Sequence, residues 1–300
     1  SNPNIKEIEN TYGDSASVKR WNRANGMGAT DDGRRRLDYA LCRYGTSKLL
    51  FRGPLRGTSS PYVVFVGGTQ TFGRYVETPF PALVELSSGV PCINFGLQNA
   101  GLDVFLHDAD VMKIAAGAHV TVVQVLGAHN MSNRYYSVHP RRNDRFIAPS
   151  KLLCSIYPEV DFAEFHFTRH LLEALKQVSP TRFAMVVREL QQAWIARMTL
   201  LLGRMTGPCV LLHLGPEKPT RDMGAQARAG PLLVTKAMVS QVSRLAAGVV
   251  YVTPSHAAMS EGTAGMVFPA IEKERALQLS GVRAHQEIAK AVAQAIEHLK

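Results

Sequence analysis

The chain is short of cysteine, of charge and of long apolar runs, and each shortage excludes something. Cys42, Cys92, Cys154 and Cys209 are separated by fifty residues or more. That spacing fits neither a disulfide framework nor a CxxC zinc knuckle, so buried small hydrophobes are the expected use. Charged residues are only 19% of the 300, which rules out a coiled-coil or highly charged disordered chain. No stretch reaches the roughly 18 uninterrupted apolar residues of a membrane span, and the runs near 120–125 and 210–214 are promptly broken. The chain opens on Ser1-Asn2 with no charged-then-apolar leader, so a cytoplasmic location is expected rather than secretion. A Walker A sequence and a GxGxxG fingerprint are also missing. Gly26-Met27-Gly28 lacks both the third Gly and a preceding strand, so P-loop ATPase and dinucleotide-dehydrogenase readings fall and no cofactor is expected.

What is present is an excess of positive charge, 34 Lys and Arg against 24 Asp and Glu, for a net +10. Such a balance suits an acidic partner. An anionic small molecule is the expected ligand, with self-association left open. Nucleic acid would rest on charge alone and is not expected. Residues 1–60 hold eleven basic and six acidic residues and little periodicity before Leu37. They are expected to form a basic, irregular arm on a core made by residues 61–300.

From Tyr62 onward a repeating pattern begins. Tyr62-Val63-Val64-Phe65-Val66 is a continuous β-branched and aromatic run ending in Gly67-Gly68, as a strand buried on both faces should read. Similar short runs lie at 91–95, 119–126, 208–214 and 248–253. Between and after them, amphipathic stretches at 81–88, 103–116, 162–178, 181–205, 232–246 and 283–299 predict helices. Strands alternating with helices imply right-handed βαβ crossovers. The expected fold is therefore a three-layer α/β sandwich around a five-stranded parallel sheet of flavodoxin type. The long connection 130–158, weakly periodic and carrying Arg134, Arg141, Arg142 and Arg145, is expected to be irregular and functional.

In such sheets ligands sit beyond the carboxyl ends of the strands, and the residues there are polar and specific. They read Gly67-Gly68-Thr69-Gln70-Thr71-Phe72-Gly73, then Asn94-Phe95-Gly96-Leu97-Gln98-Asn99-Ala100-Gly101, then Gly127-Ala128-His129-Asn130-Met131-Ser132-Asn133. Their order resembles the blocks of the SGNH (GDSL-like) hydrolases. That resemblance implies an SGNH-like fold and activity on an ester, or acyl or group transfer. It places Thr69 at the nucleophile, Gly96 and Asn130 at the oxyanion hole, and His285 at the general base. Gly68 stands where the family has Asp, Thr69 where it has Ser, and Val282 where an Asp would precede His285. The orienting acid would then have to be a non-sequential carboxylate such as Glu272.

The same departures allow a catalytically degenerate SGNH-like fold that binds an anionic ligand, or a transferase with a nucleotide-linked donor meeting Arg74. The chain is also similar, at 37–45, 65–80 and 127–146, to a bacterial domain family of unknown function. Around the implied centre, Gly68, Gln70, Asn99, His129, Asn133, Arg134, Arg142 and His256 are the expected substrate contacts, with Ser255 a fallback hydroxyl. Each of these also has an ordinary structural use. Thr caps helices, glycines serve tight turns, and polar loop residues bond their own backbone. His166 and His170 share a helix face at i, i+4, but no third ligand accompanies them, so no metal site is expected.

Overall fold

A computed structural model describes residues 15–26, 28–29, 36–215 and 231–299. Its strands are β1 (Gly28–Ala29), β2 (Leu37–Asp38), β3 (Val63–Gly67), β4 (Cys92–Gly96), β5 (Val120–Gln124), β6 (Tyr136–His139), β7 (Arg142–Pro149), β8 (Cys209–Leu214) and β9 (Gly248–Val252). Five of them form one sheet in the order β4-β3-β5-β8-β9, every pair parallel. Counted along the chain the order is 2-1-3-4-5, the flavodoxin arrangement. The continuous apolar runs have their physical reason here. Every residue of β3, β4 and β5 is buried, because helices cover both faces.

The helices are α1 (Ser15–Ala24), α2 (Thr69–Phe72), α3 (Phe80–Ser88), α4 (Leu102–Leu106), α5 (Ala109–Ala116), α6 (Lys151–Ile156), α7 (Thr168–Val178), α8 (Pro180–Gly203), α9 (Lys236–Ser243), α10 (His256–Glu261), α11 (Lys273–Leu277) and α12 (Val282–Glu297). On one face of the sheet α3 and α12 enclose Phe65, Phe80, Leu83, Val122, Ile288 and Val292. On the other, α4, α5, α7, α8 and α9 bury a larger core that includes Phe95, Phe105, Leu172 and Trp194. Two apolar layers around a central sheet make the three-layer sandwich that the alternation predicts.

Three segments differ from the sequence reading. The single helix expected over 103–116 is broken, because Asp108 turns its carboxylate to the Val111 N–H at 3.0 Å and starts α5. The connection 130–158 is not irregular: β6 and β7 pair antiparallel as a hairpin. Its weak periodicity follows from bulges between Ser137 and His139 that shift the register. The arm carries a helix, α1, with Asn22 buried against the Thr78 hydroxyl at 3.0 Å. Further on it is held down by Tyr44, Leu49 and Phe51 in the larger core. Residues 30–35 of its basic stretch lie outside the described residues.

Candidate active site

Strand order reverses between β3 and β5, so the loops after these two strands part and leave a crevice, the place where such sheets bind ligands. A cavity of roughly 360 Å³ opens there, lined by Gly68, Thr69, Gln124, Gly127, His129 and Asn130 among others. Its floor is tied together by side chains that the β-strands deliver. Gln124, the last residue of β5, accepts from the Gly68 N–H at 3.0 Å and from the Thr71 hydroxyl at 2.7 Å. A side chain on Gly67 would stand 2.1 Å from that hydroxyl, so only glycine lets α2 start this close to β5.

Thr69 is the first residue of α2, with Gly68 as N-cap. It therefore does not cap the helix with its hydroxyl; that hydroxyl accepts from the Asn99 N–H at 2.9 Å. Asn99 is in the left-handed region, with φ +54°, a conformation Asn tolerates better than most residues. From there the network continues. The Asn99 carbonyl accepts from Asn130 Nδ2 at 3.1 Å, and Asn130 Oδ1 accepts from the Thr168 hydroxyl at 2.6 Å. Thr69, Asn99 and Asn130 thus come from the loops after β3, β4 and β5 and meet in one cavity. Gln70 lines it too, with its Oε1 accepting from the Ser280 N–H at 3.2 Å.

Several expected residues are placed elsewhere. Gly96 is not an oxyanion donor, since its N–H is given to Asn94 Oδ1 at 2.8 Å and it does not line the cavity. A Cβ there would stand 2.3 Å from Phe72 N, so this glycine serves the packing of α2 on β4. The N–H that reaches the Thr69 hydroxyl belongs to Asn99. His285 is 1% exposed on α12, stacked on Phe80, and absent from the cavity wall. Its Nδ1 accepts from the Phe80 N–H at 3.0 Å. Burial, with Arg52 nearby, holds its pKa at about 3, so the hydrogen-bond network assigns a neutral ring with its proton on Nε2. Such a ring has no lone pair left for a threonine. Glu272 is equally far from an orienting role: Arg74 bonds it at 2.9 Å and the Tyr75 hydroxyl also donates to it.

The remaining expected contacts are structural. Asn133 accepts from the Tyr135 and Tyr136 N–H groups and sets the turn into β6. Arg134 and Arg142 are exposed and outside the cavity wall, and Arg142 lies 3.9 Å from Asp144. Asn143 between them is buried and caps the start of α4 by accepting from the Gly101 and Val104 N–H groups. His256 is exposed at the start of α10 and does not line the cavity. Ser255 caps that helix and bonds Glu287. Among the described residues no three His, Cys, Asp or Glu side chains gather as a metal site.

His129 is the one imidazole on the cavity wall among the described residues. It is 9% exposed, and its Nδ1 has no hydrogen-bond partner. Burial first, and the Arg169 charge second, lower its pKa to about 3. Arg74, Arg169 and Arg275 also line the cavity. Of these, only Arg74 carried a signal in the sequence, by following directly on the first loop. Arg169 and Arg275 lie within helical stretches and nothing in their local pattern marks them.

The fold and site together define a doubly wound α/β protein with a polar cavity at the switch point of its sheet. It belongs to the family described as a domain of unknown function (DUF6473), which matches residues 27–300. No curated protein matches the chain. Among solved structures it is similar to a protein of the G-D-S-L lipolytic family from Desulfitobacterium hafniense, with 14% identity over 78% of this chain and 99% of that one and a TM-score of 0.38. It is also similar to an aryl esterase of M. smegmatis, with 8% identity over 80% and 100% of the chains and a TM-score of 0.38. A third is a catalytic mutant of an acetylxylan esterase from Geobacillus stearothermophilus, with 12% identity over 81% and 96% and a TM-score of 0.39. At such identities a likeness concerns the fold alone.

Proposed function

We propose that the chain is an SGNH-like hydrolase of an ester of an anionic small molecule, with Thr69 as the attacking hydroxyl. The observation that supports this is the meeting, in one cavity, of the Thr69 hydroxyl with the Asn99 N–H at 2.9 Å and with the Asn130 amide bonded to the same Asn99. An acyl carbon attacked by Thr69 Oγ1 would develop its oxyanion near the Thr69 N–H, which has no intrahelical partner at the first position of α2, whereas the Asn99 N–H is held by Oγ1 itself and orients the hydroxyl. The Oγ1–C bond forms, the alcohol leaves with a proton, and water then hydrolyses the acyl-threonine.

The proton acceptor in this reading is His129. Its low pKa keeps it neutral at working pH but makes it a weak base. A bound anion would offset only the smaller, Arg169 part of that shift and leave the larger part, burial, in place. A second reading, binding of the anion without turnover, draws on a specific observation: the partners of the Thr69 hydroxyl are Asn99 atoms and not a histidine nitrogen.

The test is hydrolysis of short-chain p-nitrophenyl esters by wild type and by Thr69→Ala, Thr69→Ser and His129→Gln. Turnover is expected in wild type, lost in Thr69→Ala and His129→Gln, and raised in Thr69→Ser, which drops the methyl that crowds the nucleophile. Hydrolysis untouched by Thr69→Ala refutes the nucleophile. If no variant hydrolyses any ester, the binding reading takes its place.

A further inference from the structure

Gln124 ends β5, a strand buried at every position, and is itself 9% exposed. A buried carboxamide is costly unless both of its ends are bonded. Here only one end is. Oε1 accepts from the Gly68 N–H at 3.0 Å and from the Thr71 hydroxyl at 2.7 Å. Nε2 carries two N–H donors, and among the described residues nothing accepts from it.

The partners fix which way round the amide stands. Turned over, it would set its NH2 group against the Gly68 N–H, donor against donor, so the hydrogen-bond network assigns the oxygen to this end. That oxygen is also closed in, because a Cβ on Gly67 would stand only 2.6 Å from it. Since Oε1 bonds both Gly68 and Thr71, the amide is docked against the short segment that carries Thr69. Gln124, Gly68 and Thr69 all line the cavity. The nitrogen, held on the same carbon as the enclosed oxygen, is the polar atom this side chain still has to spend.

Other donors around the centre are already committed. The Gly96 N–H goes to Asn94 Oδ1, the Asn99 N–H to the Thr69 hydroxyl, and Asn130 Nδ2 bonds the Asn99 carbonyl. We propose that Gln124 Nε2 donates a hydrogen bond to the acyl oxygen of the substrate and forms the oxyanion hole together with the Thr69 N–H. This rests on the hydrolase reading. As Thr69 Oγ1 adds to the acyl carbon, the carbonyl electron pair moves onto oxygen and the amide stabilises it without giving up its proton. When the alcohol leaves, the carbonyl re-forms and that hydrogen bond weakens. Gln124 is then a catalytic residue, and Gly68 and Thr71 position it.

Gln124→Glu is the decisive variant, because it keeps an oxygen for Gly68 and Thr71 and changes only the free end from donor to acceptor. With p-nitrophenyl butyrate its kcat at pH 7 should fall about a hundredfold or more while KM stays about constant. The deficit relative to wild type should narrow toward pH 5, since a protonated carboxyl has an O–H to donate. His129, with its pKa at about 3, stays neutral over that range. A purely structural Gln124 would give a loss that follows the folded fraction and does not narrow in acid. Gln192→Glu, at an exposed position of α8 outside the cavity wall, is the control for added charge and should match wild type.

A second measurement needs neither turnover nor a folded variant. In nitrogen-labelled wild type, the NMR signals of the Gln124 side-chain NH2 group are followed as sodium butyrate is added, against sodium chloride of equal ionic strength. A saturable downfield shift of one of its protons is expected with butyrate alone. Where wild type hydrolyses the ester and Gln124→Glu folds, kinetics decide: a variant as fast as wild type, or a deficit that does not narrow in acid, overturns the proposal and leaves the hydrolase reading in place. Where either condition fails, the amide signal decides. A saturable shift without any hydrolysis keeps Gln124 as the donor to the ligand oxygen and removes the hydrolase reading; no shift overturns the proposal.

Discussion

Replacing Arg52 should unfold the protein more readily than any surface arginine would, by an amount that can be worked out. Arg52 is 1% exposed and lies in the arm, over the Tyr39 ring at 5.0 Å. Its Nη1 donates to the Phe72 and Gly73 carbonyls and its Nη2 to those of Val76 and Glu77, at 2.7–3.1 Å. Burial lowers its pKa to about 10, so it stays charged at neutral pH. Hydrogen bonds from a charged donor contribute about 1.5–3 kcal/mol each. Four would nominally exceed about 6 kcal/mol, but removing the cation also relieves a desolvation penalty of several kcal/mol. The net loss for Arg52→Met is about 3 kcal/mol. For a domain of this size that corresponds to a fall in Tm of about 6 °C.

Urea denaturation at pH 7 measures it directly, and Arg52→Lys is the useful companion. A single ammonium has three N–H donors and cannot span two pairs of carbonyls, so it should recover only part of the loss. Because Phe72 and Gly73 end α2, whose first residue is Thr69, the Met variant should also lose any Thr69-dependent turnover beyond its folded fraction. A loss below about 1 kcal/mol for Arg52→Met would mean that the four carbonyls find water or other donors. The account of the arm as a clamp on α2 would then be wrong.

Acid should destabilise the fold through two buried imidazoles. His129 and His285 both have folded pKa values of about 3, below the ordinary 6.5, so between pH 6.5 and 3 the unfolded chain binds more protons and stability falls as pH falls. From pH 7 to pH 5 the loss is about 2 kcal/mol per histidine, and a His129→Gln/His285→Gln double variant should show a correspondingly flatter Tm against pH. Gly101→Ala should disrupt the site and lower stability by several kcal/mol, because its Cβ would lie 1.7 Å from the Asn130 carbonyl oxygen; a variant with wild-type Tm would contradict this. Asp103→Ala should cost about 3 kcal/mol. It removes a buried carboxylate that binds Arg197 Nε at 2.9 Å and the Ser132 N–H at 3.2 Å; Arg197→Met instead strands that carboxylate, the more buried partner, with the Ser132 bond alone, so urea midpoints should rank Arg197→Met as the worse.

The sheet was legible because burial on both faces leaves no freedom in composition. Val63–Gly67 is apolar throughout, and Val120–Gln124 is apolar but for Thr121 and Gln124, and such runs announce themselves. Amphipathic stretches marked helices for a similar reason, although those expected over 162–178 and 232–246 begin only at Thr168 and Lys236; the long helix Pro180–Gly203 begins at a Ser179 cap and a proline. The hairpin was not legible. Its strands are half exposed, with the alternating pattern of β7 interrupted, and Arg142, Arg145 and Ile147 are exposed, as a long basic loop would leave the same residues.

The site was half legible for a different reason. Sequence order names the loops that a parallel sheet brings together, and Thr69, Asn99, His129 and Asn130 do share one cavity. It does not say which backbone N–H in a loop is left unspent. Gly96 looks like the donor because it is a glycine after a strand, yet Asn94, two residues earlier, folds back and takes its N–H. Three residues on, the chain turns left-handed at Asn99, and that turn aims an N–H at the Thr69 hydroxyl. The same logic displaces His285. A histidine at the start of the last helix is in the right place by sequence. Its helix packs on α3, however, and the Phe80 N–H, with no intrahelical carbonyl at the start of α3, takes the imidazole lone pair. The orphaned donor at that helix start decides the role of the histidine. That donor belongs to the backbone and survives any change of the Phe80 side chain short of proline, so the loss of His285 itself is what unpairs it. His285→Phe should therefore lower stability by about 1–3 kcal/mol, the penalty of a buried unsatisfied N–H, while leaving kcat per folded molecule unchanged. A kcat that collapses in fully folded His285→Phe would return this residue to the chemistry.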